Sequence, residues 1–572
     1  MRTFKILLLM TAALCAAVFL FMLATLPPSA RQLQAGAQNS AHPVVPGAFH
    51  VHSKRSDGTG TVDDVAAAAA RAGLRFVVFT EHADGTRPPD APSYRAGVLC
   101  IDGVEISTSG GHYAAFGMRP SPYPLGGEPR DVVEDVTRLG GFGVAAHPDS
   151  PKLALRWRDW VAPFDALEWL NSDSQWRDKS ALKLTHTFLE FLLRGPESLA
   201  ALFGRPDMTL ARFDALTRQR RIVALAGADA HARLGLRNST DPYQEGLALR
   251  MPSYESVFRT FTIRAQLDRP LAGRASADAI AVRAALAAGH VYTAIDALAT
   301  PPAFEFSARS GSFSAGAGDD LALGGPVAIE ARANHPAAHV VLFENGRRAA
   351  EGIAALHYRA PERPAVFRVE VGLDDAPGRP PVPWILSNPI YVGGLLDARR
   401  PIPRLEPTLL SPVFDGNPTG DWRTSLRTER DPHSQAAIRL NPEGPVALDY
   451  TLAPPSYVSQ YVALVHAAAN VAAYDRIQFR GSADRPMRLS VEVRVPSRAG
   501  GERWHRSVYL DQEPRDISVF LDDLRPIGPT SSYGPKLSMV DSVLFVIDTT
   551  NARPGTSGSF RLENANWAGV GR

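Results

Sequence analysis

The hydrophobic pattern of the chain changes character three times along its length. Residues 6–26 are apolar and uncharged throughout, and Arg2 and Lys5 precede them. A run of that length can span a bilayer as a helix, and positive charge ahead of it predicts an N-terminus inside and the remaining chain outside the cytoplasm. The run exceeds the usual core of a cleaved signal peptide, which favours a retained anchor, although Ala35-Gly36-Ala37 offers a small-x-small cleavage site. Residues 27–46 are rich in Pro, Ala and Gln and read as a tether.

From residue 47 to about 300, strand-like and helix-like stretches alternate. Residues 48–53, 74–80, 98–107, 112–118, 142–146, 166–170 and 222–226 read as strands. The near-continuous apolar run 74–80 fits a strand covered on both faces. Thr61, with Asp63 and Asp64 behind it, opens an alanine-rich helix that ends at Gly73. Further helices are expected at 131–139, between 171 and 219, and at 279–289, and a strand at 290–294 is expected to close the sheet. This alternation predicts a parallel sheet or barrel with helices outside it.

Beyond residue 300 the period falls to two. Residues 327–331, 339–343 and 365–371 are short alternating segments between turns, which predicts a small immunoglobulin-like β-sandwich over 301–400. A Pro-rich linker at 401–412 precedes strands at 476–482, 487–495, 507–510 and 543–548. The expected plan is therefore multidomain, α/β plus all-β. It comprises anchor or signal and linker (1–46), α/β region (47–300), small sandwich (301–400) and a jelly-roll-like domain (413–572).

Composition narrows the chemistry. At 572 residues the chain exceeds a single core. A net charge of +2 with no basic stripe demands no polyanionic partner, and no nucleic acid is expected. The two cysteines, Cys15 in the apolar run and Cys100 in a predicted strand, imply neither an internal disulfide nor a zinc ribbon. Any metal has to be held by histidines and carboxylates.

Those residues recur in an ordered series. His50-Val51-His52 alone reads most simply as an edge strand with two solvent-facing histidines. Strand alternation nevertheless places His50 and His52 on one face, and Asp57 follows within Ser56-Asp57-Gly58. His82 follows Thr80-Glu81, Glu105 lies in Gly103-Val104-Glu105, His112 opens a strand, and His147 precedes Pro148. Glu168 lies in Leu167-Glu168-Trp169, and Asp229 and His231 close the strand at 222–226. Nearly all stand at C-terminal strand ends, where βα barrels gather their active sites.

In this order and spacing the series HVHS, SDG, TEH, GVE, H, HP and DAH resembles the PHP (polymerase and histidinol phosphatase) domain over roughly residues 47–300. The resemblance implies a distorted (β/α)7 barrel, two or three divalent ions (Zn, Mn or Fe) and hydrolysis of a small phosphorylated substrate. Carried over by position, it implies one ion on His50, His52, Glu105 and Asp229. A second would share Glu105 with His112 and His147, and a third would sit on Asp57, His82 and His231. Glu105, Asp229 and His231 would be the catalytic groups. Such ions activate water and offset charge on phosphate oxygens. Glu81 stands where many members have Asp, beside a ligand. Glu168 is either an orienting partner or only a barrel residue. Lys54, Arg55 and Arg233 could hold a substrate phosphate or be solvated loop charges.

Within 169–207, Asn171, Asp173, Gln175, Trp176 and Arg177 could form a substrate rim, while the apolar part, 188–193, reads as helix packing. The segment 384–391 resembles the tail that follows extracytoplasmic PHP barrels. The end of the chain resembles the galactose-binding-like jelly rolls of carbohydrate-binding modules, with Trp422, Trp504 and Trp567 as either sugar-stacking or core residues. The expectation is an extracytoplasmic, membrane-anchored, metal-dependent phosphoesterase. The alternatives are a glycan-binding envelope scaffold with a vestigial barrel, or a phosphodiesterase or nuclease.

Overall fold

Seven strands carry the α/β region. They are β1 (Val44–Val51), β2 (Phe76–Phe79, resuming as Glu81–His82), β3 (Val98–Ile101, resuming as Gly103–Thr108), β4 (Gly111–Phe116), β5 (Phe142–Ala145), β6 (Ala166–Asn171) and β7 (Val223–Ala230). The computed structural model describes residues 2–34, 42–235, 248–249, 251–396, 404–414, 426–440, 445–455, 459–496, 501–528, 530 and 532–571. Parallel pairings link β1 to β2, β2 to β3, β5 to β6, β6 to β7 and β7 to β1. Antiparallel pairings link β3 to β4 and β4 to β5, so the strands form a closed ring. All four residues of Phe76–Phe79 and all eight of β7 are buried, as expected of strands with the ring interior on one side and helices on the other.

The helices begin where the sequence provides caps. At α1 (Val62–Arg71), the Thr61 hydroxyl accepts from the Asp64 amide and the Asp64 carboxylate accepts from the Thr61 amide. Val65, Ala66, Ala68 and Ala69 form its buried face. Next come α2 (Pro129–Arg138), α3 (Ser172–Arg177), α4 (Ala181–Phe191), α5 (Gly195–Ala200), α6 (Asp207–Thr217), α7 (Tyr254–Thr260) and α8 (Ala275–Ala288).

The strand expected at 290–294 does not close the ring. Strand β9 (Val291–Ala294) pairs antiparallel with β8 (Thr262–Gln266) and with Ile385–Ser387. The reason lies in β1, which changes neighbours midway. Its first half pairs antiparallel with β8, and β7 joins it only from Phe49 onward. β7 therefore closes the ring, and β8 and β9 lead away into a second sheet. Asn388 bonds these two systems together. Its buried Oδ1 accepts from Ala224 N at 2.7 Å, and its Nδ2 donates to Ala224 O at 3.1 Å and to Val291 O at 2.9 Å.

Residues 304–392 form two sheets. One contains Phe304–Ser310, Phe313–Gly316, Val327–Ala333 and Ala355–Ala360, with buried and exposed residues alternating along Phe304–Ser310. The other contains His339–Glu344, Arg347–Ile353 and Ala365–Gly372, and continues through Ile385–Ser387 into β9. Residues 1–84, 88–119 and 128–399 cluster as one unit.

The N-terminal helix, Arg2–Thr25, contains a span, Phe4–Thr25, of 22 residues with mean hydropathy 2.8 and none of it buried. By length and composition it can cross a membrane, a test that a signal sequence also passes. The described residues that follow are not a free tether. Arg31–Gln32 pairs in parallel with Ala299–Thr300, and Arg31 Nη2 lies 2.9 Å from Asp375 Oδ2. Ala35-Gly36-Ala37 lies outside the described residues.

A second unit comprises residues 85–87, 120–127 and 400–572. It contains two antiparallel six-stranded sheets. The thirteen-residue strand Ser557–Gly569 pairs with Val446–Thr451, Arg476–Ala483 and Leu409–Phe414 in one sheet. Ser542–Asp548 lies between Tyr461–Ala467 and Met487–Val495 in the other. Trp504 and Trp567 pack in this unit's core with Phe414, Phe545 and Phe560, so neither presents a face for sugar stacking. Trp422 lies outside the described residues.

The Asn388 bridge makes a stability prediction. Asn388→Ala leaves a buried amide and two carbonyls without their partner and is expected to cost about 2–4 kcal/mol. Denaturant unfolding measures it, and a loss below about 0.5 kcal/mol, the size of an ordinary surface change, would contradict the bridging role.

Candidate metal centre

Glu105 stands at the middle of the ring's polar end and is 1% exposed. Its Oε1 lies 2.9 Å from His112 Nδ1 and 2.8 Å from His147 Nε2. Its Oε2 lies 3.2 Å from His50 Nε2, 3.2 Å from His52 Nε2 and 3.3 Å from His82 Nδ1. Five imidazoles from four strand ends thus surround one carboxylate. Asp229 Oδ1 joins them, 3.6 Å from both His50 Nε2 and His52 Nε2. Asp57 lies 3.2 Å from His231 Nε2, 3.6 Å from His52 Nδ1 and 3.8 Å from His82 Nε2.

All nine residues in the expected ligand sets come together. Their donor atoms group as His50, His52 and Asp229; His50, Glu105 and His147; His82, Glu105 and His112; and His52, Asp57, His82 and His231. Each group has its donor atoms within 4.8 Å of one another. Glu105 Oε1 reaches both His112 and His147, the implied second set, while the donor groups also bring His112 together with His82 and His147 together with His50. Two donors on one ion at about 2.0–2.1 Å in tetrahedral geometry stand about 3.3 Å apart, which the 3.2–3.6 Å separations match. The buried His50 Nε2 and His52 Nε2 make no hydrogen bond among the described residues. A buried nitrogen that makes no hydrogen bond is costly unless a cation completes it, so the residues present fit divalent ions.

His50 and His52 do not converge by simple alternation. Ladder pairing skips His50, with Phe49 and Val51 taking successive partners on β2, and β1 ends at Val51. His50 bulges with φ of 65°, and His147 (31°) and Asp229 (45°) also occupy the left-handed region. Such backbone costs on the order of 1–3 kcal/mol per residue and collects at sites where it serves function.

A surrounding layer fixes the donors. His50 Nδ1 donates to Glu168 Oε1 at 2.6 Å, which leaves Nε2 facing Glu105 and Asp229. Glu168 Oε2 accepts from His147 N at 2.7 Å and from Asn171 Nδ2 at 2.9 Å, so Glu168 takes the orienting role. Gly227 makes room for it, since a Cβ there would lie 1.9 Å from Glu168 Oε1. Asn171, expected on a substrate rim, is buried instead, where it bridges Glu168 and Asp229 and caps α3. Glu81 is not among the grouped donors. It accepts from Ser53 N at 3.1 Å and from the hydroxyls of Ser53 and Ser56, which fastens the loop that carries Asp57. Gly58 is required in that loop, because a Cβ would meet His52 O at 2.3 Å.

Charge balance follows from these contacts. Burial opposes charge on Glu105, yet His50, His82 and His112 hold its carboxyl well below the usual range. Burial likewise opposes charge on His231, but Asp57 and Asp229 push it up to about 10. His82 goes the other way, to about 4, through burial and the charges of His52 and His112.

The three expected phosphate-binding cations separate. Arg55 Nη1 lies 2.7 Å from Asp90 and 3.1 Å from Asp102, so its charge is already engaged. Lys54 is exposed, and Arg233 lines a cavity beside Asp229 and His231. Tyr254, on α7, is a further member of the site that the motifs do not mark. Its hydroxyl lies 2.8 Å from His52 O and 3.2 Å from His231 O, joining two ligand-bearing loops. A tyrosine that binds backbone carbonyls leaves no motif to read.

No family model matches the chain, and no curated protein matches it. Among solved structures, the chain is similar to a Bacteroides vulgatus two-domain protein containing a predicted PHP-like metal-dependent phosphoesterase. Identity is 12% over 64% of this chain and 98% of that one, with a TM-score of 0.29. It is also similar to a family 11 carbohydrate-binding module from Clostridium thermocellum, with 16% identity over 26% of this chain and 89% of that one and a TM-score of 0.22. Neighbours of this second type match the C-terminal part. Likenesses this slight say nothing of the chemistry at the centre, which rests on the donor geometry.

Two measurements address the centre. The full chain, purified with Mn or Zn present, is expected to hold at least about two metal equivalents by elemental analysis, and none would remove the site. Glu168→Ala is expected to weaken metal affinity about 10–100-fold with the fold retained. An unchanged affinity would reduce Glu168 to a packing residue.

Proposed function

We propose that this chain is a metal-dependent phosphoesterase of the PHP kind. The observation that carries the reading is the single buried carboxylate, Glu105, set among five imidazoles at donor spacing, with His50 Nε2 and His52 Nε2 making no hydrogen bond among the described residues. The closed ring of strands with helices between them supports the distorted (β/α)7 barrel implied by the motif series. His50, His52, Glu105 and Asp229 would hold one ion, His112 and His147 with Glu105 a second, and Asp57, His82 and His231 a third. Divalent ions at such a centre supply an activated water and positive charge opposite the phosphate oxygens.

The protein's own groups do the positioning. Glu168 and Asn171 hold His50 and Asp229 in place, so little reorganisation is needed when substrate arrives. Arg233, on the cavity wall beside Asp229 and His231, is the cation we assign to the substrate phosphate, with Lys54 at the exposed loop as a second. Arg55 keeps its carboxylate partners and is left out of that role. His231, paired with Asp57, would serve either as a ligand of the third ion or as the proton donor to the leaving oxygen, and not as both at once. The apolar helix Phe4–Thr25 supports a membrane-anchored location with the remaining chain outside the cytoplasm.

The test is a screen of phosphomonoesters and phosphodiesters with the full-length, metal-reconstituted protein. Monoester turnover is expected. His52→Ala and Asp229→Ala are expected to lower kcat/KM by about 10²- to 10³-fold or more while circular dichroism stays unchanged. No turnover of any phosphoester by metal-replete protein overturns the reading, and full activity in either variant overturns the ligand assignment.

A further inference from the structure

A cavity of about 150 Å³ opens beside the metal centre. Asp229, His231 and Arg233 form one part of its wall. Most of the rest is hydrocarbon, from Leu184, Phe188, Phe191, Leu199, Leu202 and Phe203 of the α4–α5 region. Phosphate chemistry alone gives no reason for such a wall, because a phosphate ester with a small polar leaving group would leave it facing water at a cost. Apolar pockets with a few convergent polar groups bind ligands that share that division.

We infer that this cavity receives the hydrocarbon part of the substrate, so that the substrate class is an amphiphilic phosphate ester with one ring or a short alkyl segment next to the phosphate. The inference rests on the phosphoesterase reading above. The size sets the limit, since an apolar cavity of about 150 Å³ accommodates a benzene ring, or about six carbons, and not a pair of acyl chains.

The same helices touch the N-terminal helix. Thr25 Oγ1 lies 2.8 Å from His186 Nε2, and the rings of Phe21 and His186 are 5.5 Å apart. Arg194 Nη1 donates to Pro27 O at 2.7 Å, and Ala30 N donates to Glu197 Oε1 at 3.3 Å. Leu182 (82% exposed) and Leu192 (63%) are surface residues of this segment. An amphiphile carried in a bilayer would therefore meet the cavity wall close to where the chain leaves the membrane.

The experiment uses the full chain in phosphatidylcholine nanodiscs, loaded with Mn, and titrates alkylphosphonates from methyl to octyl by calorimetry. Affinity is expected to rise about three- to fourfold per methylene up to about six carbons and then level off. Phe188→Ala is expected to move the plateau to longer chains and Phe188→Trp to shorter ones, a shift in selectivity that misfolding cannot imitate. Dodecyl phosphate in vesicles and soluble hexyl phosphate separate a membrane-borne from a free amphiphile, and a preference over methyl phosphate in either arm supports the inference. A flat chain-length profile, or a plateau that ignores Phe188, overturns it whether or not esters turn over. Length-dependent binding with no turnover keeps the cavity assignment and removes the phosphoesterase reading.

Discussion

The structure depends on one electrostatic arrangement, the buried Glu105 carboxylate within reach of His50, His52, His82, His112 and His147. A buried anion is unfavourable unless charge or hydrogen bonds compensate it, and here the compensation comes from strand ends far apart in sequence. Each of these strands has to bring its histidine to the same depth. The ring brings these positions together: β1, β2 and β5 deliver their histidines at or just past their C-terminal ends, and the antiparallel β4 delivers His112 from its start.

Equal depth is not sufficient, and backbone distortion supplies the remainder. His50, His147 and Asp229 adopt left-handed conformations that glycine would hold more easily. Their side chains are nonetheless the needed donors, so the surroundings bear the strain. Glu168 accepts both from the His50 ring and from the His147 backbone, and Asn171 ties Glu168 to Asp229. One carboxylate and one amide thereby constrain all three strained positions.

Much of this is legible in the sequence, and the limits have physical causes. The strand and helix alternation over 47–300 is readable because buried parallel strands are continuously apolar, as at Phe76–Phe79. The nine donor residues are readable because metal chemistry restricts residue type, and they do come together. The His50 bulge is not, because a period-two pattern carries no mark of a skipped pair. The strand Thr262–Gln266 escapes notice because its alternation rests on only two apolar residues, Ile263 and Ala265, and without it 290–294 looks like the closing strand. Asn388, Tyr254 and Glu81 act through contacts remote in sequence, largely with backbone groups, which no motif records. Arg55 resembles a substrate cation in the sequence because Asp90 and Asp102 meet it only in the folded chain.

The short strand Arg31–Gln32 has a consequence for reach. Only residues 26–30 separate the end of the N-terminal helix from this docked strand. Five extended residues span at most about 17 Å, so with the helix in a bilayer this unit cannot wander on a long leash. Its docking point would stay within about 17 Å of the membrane surface, and encounters with membrane-borne molecules would become searches in two dimensions, governed by lateral diffusion and surface density.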